Sequence, residues 1–144
     1  MVQPLFENIE ANSLVGLETV ASPALLVFDE RIESNLQEMI RIAGSVDRLR
    51  PHCKTHKLAP IIEMEMGLGI RKHKCATLAE AEMLASCGVK EVFWAYPPVG
   101  PNIRRLQDLQ ERFPEVCIQV TADDSVLLKQ LDEAAGERLS LIHI

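Results

Sequence analysis

The chain has no excess of basic residues. Its formal net charge is −6, so no face is available to displace counterions from a nucleic acid, and that partner class is excluded. It has no apolar run of membrane-spanning length; Ala24 to Phe28 is only a strand's worth. The first residues carry Glu7 and Glu10 rather than a basic stretch followed by an apolar core, so no secretory leader is expected. Cys53, Cys75, Cys87 and Cys117 lie far apart without a paired spacing, which suits reduced thiols in a cytoplasmic setting. There is no internal repeat beyond a strand–helix unit, no low-complexity segment and no linker. What is present is 144 residues of 47% hydrophobic content, enough for one core.

Apolar β-rich runs alternate with helical periodicity, the pattern of an α/β fold with a parallel sheet. Ala24 to Phe28 is expected as a first strand, buried on both faces. Ile32, Leu36, Met39, Ile40 and Ala43 form one helical face that Gly44 ends. Leu49 to Lys54 is a short second strand, and Ala59 to Met66 a second helix with Pro60 in its first turn and Gly67 ending it. Arg71 to Ala76 is a polar third strand. Thr77-Leu78-Ala79-Glu80 is a capping box that opens a third helix, and Gly88 terminates it. Glu91 to Ala95 is a fourth strand, stopped by Pro97-Pro98. Ile103, Leu106, Leu109 and Phe113 mark a fourth helix, and Val116 to Val120 a fifth strand. A fifth helix carrying Val126, Leu127, Leu131 and Ala134 follows Asp123 and Asp124, and Leu139 to Ile144 starts a sixth strand.

The densest chemistry lies in Arg50-Pro51-His52-Cys53-Lys54-Thr55-His56-Lys57. Alternation places Arg50, His52 and Lys54 on one face of the second strand, with Lys54 at its carboxyl end, where ligands bind in parallel α/β sheets. Neighbouring cations and burial both disfavour an ammonium, and a free amine is what Schiff-base chemistry asks of a lysine. On charge alone, a solvated basic loop explains the segment more simply. A zinc set drawn from His52, Cys53, His56, His73 and Cys75 is a second reading. It is weakened because His52 and Cys53 are adjacent on a strand and no C-x-x-C or H-x-x-x-H pair anchors it, so no metal ligand is assigned. An open five-unit sheet of response-regulator type lacks the acidic cluster it needs after strand one, since Asp29-Glu30 stands alone.

Arg-Pro-His-x-Lys-Thr-His-Lys resembles the pyridoxal-phosphate lysine motif of the D-threonine aldolase and D-serine dehydratase family, within the alanine-racemase-like fold class. Ser22 to Val27, Cys75 to Glu82 and Trp94 to Pro98 resemble further segments of that family in the same order. The resemblance implies that Lys54, rather than Lys57, carries the cofactor as an imine and acts as the catalytic residue. It makes His52 and His56 candidates for proton handling or cofactor contact. Thr77, also explained as a helix cap, and Tyr96, also explained as a packed loop residue, are weaker cofactor-binding candidates.

A closed eight-unit barrel takes about 250 residues, and this chain supplies about five units plus a sixth strand. The expectation is therefore a partial (β/α)8 TIM barrel over residues 23–144, after an N-terminal segment of residues 1–22, with the family's C-terminal β-domain missing. Unpaired first and sixth strands would be an aggregation hazard. Leu139 to Ile144 also lacks the acidic and glycine residues expected there, so a foreign tail is considered. The implied activity is a pyridoxal-phosphate-dependent lyase acting on D-3-hydroxy amino acids, by retro-aldol cleavage or elimination. A non-catalytic pyridoxal-phosphate-binding homeostasis protein and an amino-acid racemase of the same fold class are the alternatives. The resemblance further implies a divalent metal (Mn, Mg or Zn) held by residues outside this chain, a homodimer as the full-length protein, and little activity from these residues alone. It leaves the substrate, and aldolase against dehydratase, undecided.

Overall fold

This computed structural model describes residues 14–135 and 140–143, and from residue 59 onward helix and strand alternate. Glu7, Glu10, Leu139 and Ile144 lie outside them. The elements are α1 (Asp29–Ala43), α2 (Ala59–Gly67), β1 (Lys72–Cys75), α3 (Leu78–Ser86), β2 (Glu91–Trp94), α4 (Asn102–Arg112), β3 (Cys117–Ala122), α5 (Ser125–Ala135) and β4 (Ser140–His143). Local signals account for most boundaries. Gly44 ends α1 in the left-handed region at φ 77°, its N–H closing on the Ile40 carbonyl at 2.9 Å. Thr77 Oγ1 accepts from the Glu80 N–H at 3.2 Å to open α3. Asp124 Oδ1 accepts from the Leu127 N–H at 3.1 Å at the start of α5. Gly67 falls inside α2 rather than ending it; the left-handed residue is Gly69, at φ 94°.

The four strands pair in parallel in the order β1-β2-β3-β4. Each strand lies beside the next one in the chain and the order never reverses. This is the winding of a barrel wall; a doubly wound sheet reverses at a switch point. The α/β partial-barrel expectation holds in this respect, and the response-regulator alternative does not.

The two faces of the sheet differ. His73, Cys75, Val92, Trp94, Ile118, Val120 and Ala122 are buried beneath the helices, in a core with Leu84, Leu106 and Leu131. Lys74, Phe93, Gln119 and Thr121 alternate onto the opposite, half-buried face. Arg50 crosses that face: Nη1 donates to Gln119 Oε1 at 2.8 Å and Nη2 to Glu91 Oε1, while Gln119 Nε2 donates to the same Glu91 oxygen at 3.3 Å. Side chains stand roughly perpendicular to a sheet, and the Arg50 segment lies three strand spacings from β3, about 14 Å on a flat sheet. The contact closes because the wall curls inward.

Two expected strands do not form. Residues 24–28 form no strand, with Leu25 72% and Leu26 51% exposed rather than buried on both faces. A parallel strand is held by its neighbours. The expected second strand contributes one bridge, His52 to Lys74, with the Lys74 N–H donating to the Pro51 carbonyl at 2.8 Å. The chain then turns through one 3-10 turn, Cys53–Thr55. No described residue therefore offers residues 24–28 a ladder.

Ile118 is 1% exposed at the centre of this core. Ile118→Ala should lower stability by about 2–5 kcal/mol, seen as a reduced urea midpoint with an unchanged slope.

Candidate active site

Because all strands are parallel, the residues that follow them gather at one end of the wall. Lys54 lies there, in the turn directly after the His52–Lys74 bridge. It is exposed, so the burial expected of it is absent, and the turn rather than a strand aims its side chain. His52 caps this turn, its Nδ1 accepting from the Lys54 N–H at 3.3 Å. Burial, then the charges of Lys54 and Lys74, hold the His52 imidazole below its ordinary value of 6.5. It is therefore a neutral ring beside two cations. His56 serves the next element: its Nδ1 accepts from the Leu58 N–H at 3.2 Å, immediately before α2.

Glu80 joins the turn to α3. Its side chain is 4% exposed; Oε2 accepts from the Ala76 N–H at 2.8 Å, and Lys57 Nζ lies 3.3 Å from Oε1. Burial pushes this carboxyl up, but the Ala76 N–H and Lys57 outweigh it and hold the group below its ordinary 4.5. Cys53 Sγ sits 4.0 Å from Oε2, fully buried. Burial, then the Glu80 charge, push its thiol up to about 11. Lys57 is the one non-glycine among the described residues with positive φ, at 52°.

Of the five residues considered for zinc, the structure gathers only His52 and Cys53, with Glu80 in place of the others; their ligand atoms lie within 4.8 Å of one another. Adjacency did not keep His52 and Cys53 apart, because the 3-10 turn cancels strand alternation. The donor chemistry nevertheless fits a resident divalent ion poorly. The carboxylate already faces an ammonium and a backbone N–H, and the thiol holds its proton. His73 is turned to the helix layer, its Nε2 3.0 Å from Glu65 Oε2, and Cys75 is core.

Thr77 and Tyr96 line a hollow of about 390 Å³ with Trp94, Pro97, Asn102 and Arg105; His52, Lys54 and His56 do not border it. The structure therefore does not bring the five candidate residues together. Trp94 is core, and its Nε1 donates to the Ala76 carbonyl at 3.0 Å. Sequence reasoning missed Lys74, the second cation beside His52. Alternation along β1 places it opposite His73 and Cys75, but the polarity of that strand blurred the pattern.

The set fits an anionic aldehyde cofactor such as pyridoxal phosphate. Lys54 offers an accessible amine, and neither Lys54 nor Lys74 forms an ion pair among the described residues.

No protein-family model matches the chain. It is 28% identical over 121 residues to the D-threo-3-hydroxyaspartate dehydratase of Delftia sp. (strain HT23), covering 83% of this chain and 31% of that protein. Its fold is similar to the crystal structure of D-threonine aldolase from Filomicrobium marinum, with TM-score 0.75, 30% identity, and 88% of this chain against 35% of that one. An alanine racemase-like protein from Idiomarina loihiensis shares the fold at TM-score 0.69 and 20% identity, over the same shares of the two chains. The chain thus spans about a third of the length of these relatives. The dehydratase and the aldolase support the resemblance of this chain to the D-threonine aldolase/D-serine dehydratase-like family, and the racemase-like protein shares its fold.

Proposed function

We propose that these residues form the lysine-bearing part of a pyridoxal-phosphate-dependent lyase acting on D-3-hydroxy amino acids, by aldol cleavage or by elimination of the β-hydroxyl. The observation that carries this reading is the exposed Lys54 amine at the carboxyl end of the wall, beside neutral His52 and Lys74. When bound, the cofactor supplies an aldehyde for that amine and an electron sink for charge left on the substrate Cα. The chain's own contributions are narrower. Lys54 Nζ would be the attachment atom and, once released, a base for a proton at Cα. Lys54 and Lys74 draw anionic groups to the strand ends, and the His52 Nδ1 cap fixes the backbone from which Lys54 projects.

The proposed assembly is a homodimer of the full-length protein, with a divalent metal bound by residues outside this chain and a cytoplasmic setting. No helix among the described residues is long and apolar enough to cross a membrane.

Incubation with pyridoxal phosphate, borohydride reduction and peptide mapping should place the label on Lys54, and Lys54→Arg should abolish it. Label elsewhere, or none, refutes the attachment. Acidity should weaken the site through His52. The folded ring binds its proton less readily than the unfolded one, so its share of stability is present above pH 6.5 and is lost as pH falls through the lowered folded value. An NMR titration should give a His52 midpoint below 6.5, moved upward by Lys74→Met. A midpoint indifferent to Lys74 would contradict the charge cluster.

A further inference from the structure

The turn carries two accessible lysines three residues apart, and exposure does not separate them: Lys54 is exposed, and the Lys57 side chain is 62% exposed. Their electrostatic surroundings differ. The left-handed backbone at Lys57, with its N–H donating to the Cys53 carbonyl at 2.8 Å, folds that residue back toward α3. Its ammonium then lies 3.3 Å from Oε1 of a carboxylate that is almost entirely buried. A sparsely populated backbone conformation persists where its surroundings hold it, and here the ion pair and the closing hydrogen bond both do so.

We infer that Glu80 selects which lysine of this turn reacts with an aldehyde, by engaging Lys57 and leaving Lys54 as the available amine. The inference rests on the proposed attachment reading and assigns the choice between the two lysines to a residue of α3. Condensation bonds the amine nitrogen to the aldehyde carbon, the carbonyl oxygen leaves as water, and the nitrogen exchanges two hydrogens for a bulky carbon substituent. At Lys57 that nitrogen would have to leave Glu80, stranding the Oε1 side of a buried carboxylate whose remaining partners, the Ala76 N–H and the weak Cys53 thiol donor, both sit on Oε2. Removing one partner of a buried charge is strongly unfavourable. Lys54 faces no described carboxylate within ion-pair distance, so its condensation strands nothing. Glu80 is on this account a positioning residue that touches neither substrate nor cofactor.

The test reads the ratio of phosphopyridoxyl label at Lys54 and Lys57 after borohydride reduction. In the unmodified chain Lys54 should dominate. In Glu80→Gln the Lys57 share should rise several-fold, while Lys57→Arg, which keeps a cation on Glu80, should leave Lys54 labelling unchanged. Asp124→Ala, which removes the cap of α5, controls for general loosening; a comparable rise there would overturn the inference. Wild-type label at Lys57 or at neither residue sinks the attachment reading itself. Dominant Lys54 label with an unchanged ratio in Glu80→Gln sinks only the role of Glu80.

Should Glu80→Gln not fold, the unmodified chain still decides. Lys90 matches Lys57 in exposure, at 63%, but pairs with Glu115, itself 51% exposed. Trace reductive methylation with formaldehyde should be several-fold slower at Lys57 than at Lys90, and equal rates would overturn the inference.

Discussion

The buried carboxylate of Glu80 is the constraint on which the candidate site depends. One of its oxygens takes the Ala76 N–H and completes the cap of α3, and the other faces the Lys57 ammonium. Two covalently distant pieces, the turn after the second strand position and the start of α3, thereby share one charge. A buried carboxylate is tolerated only where such partners surround it. Burial, and after it the same charge, keep the Cys53 thiol protonated, so the cysteine packs as a small apolar side chain. The exposed Lys54 lies between these anchored neighbours, free in its side chain and held in its backbone.

Curvature is the second organising element. Arg50 reaches Gln119 across two intervening strands, and Glu91 joins the two from the middle. Arg50 and Glu91 are each little more than a quarter exposed, so the pair is shielded but not sealed from solvent. With the Gln119 contact it ties the segment before the Lys54 turn to strands that follow it in the chain by 41 and 69 residues. A wall of sequentially wound strands would otherwise hold its inner face together only through adjacent ladders. The turn that bears Lys54 is therefore fixed from below by Arg50 and from the side by Glu80.

Much of this was legible in the residues. The helix boundaries followed from local chemistry, in Gly44, the Thr77 capping box and the acidic start of α5, because caps and left-handed glycines depend on few distant contacts. Strands were less legible, since a strand exists only where a partner supplies its ladder. Ala24 to Phe28 has the composition of a buried strand and no such partner among the described residues. The second strand collapsed to a bridge and a turn, which placed Lys54 at the surface and brought His52 and Cys53 to one side. The octapeptide suggested the proposed chemistry but carried no sign of its electrostatics. No spacing rule connects Lys57 to Glu80, and the polarity of β1 concealed Lys74. Thr77 and Tyr96 line, with Trp94, a hollow that His52, Lys54 and His56 do not border.

Phe93 has a bearing on the inner wall as a whole. The Arg50 guanidinium lies 5.8 Å and the Lys74 ammonium 5.5 Å from the centroid of its ring. The quadrupole of an aromatic face attracts a cation without cancelling its charge. The ring can therefore steady two like-charged groups side by side: Arg50 is paired with Glu91, while Lys74 has no carboxylate partner among the described residues. A negatively charged visitor to this wall meets the Lys74 ammonium already steadied in place.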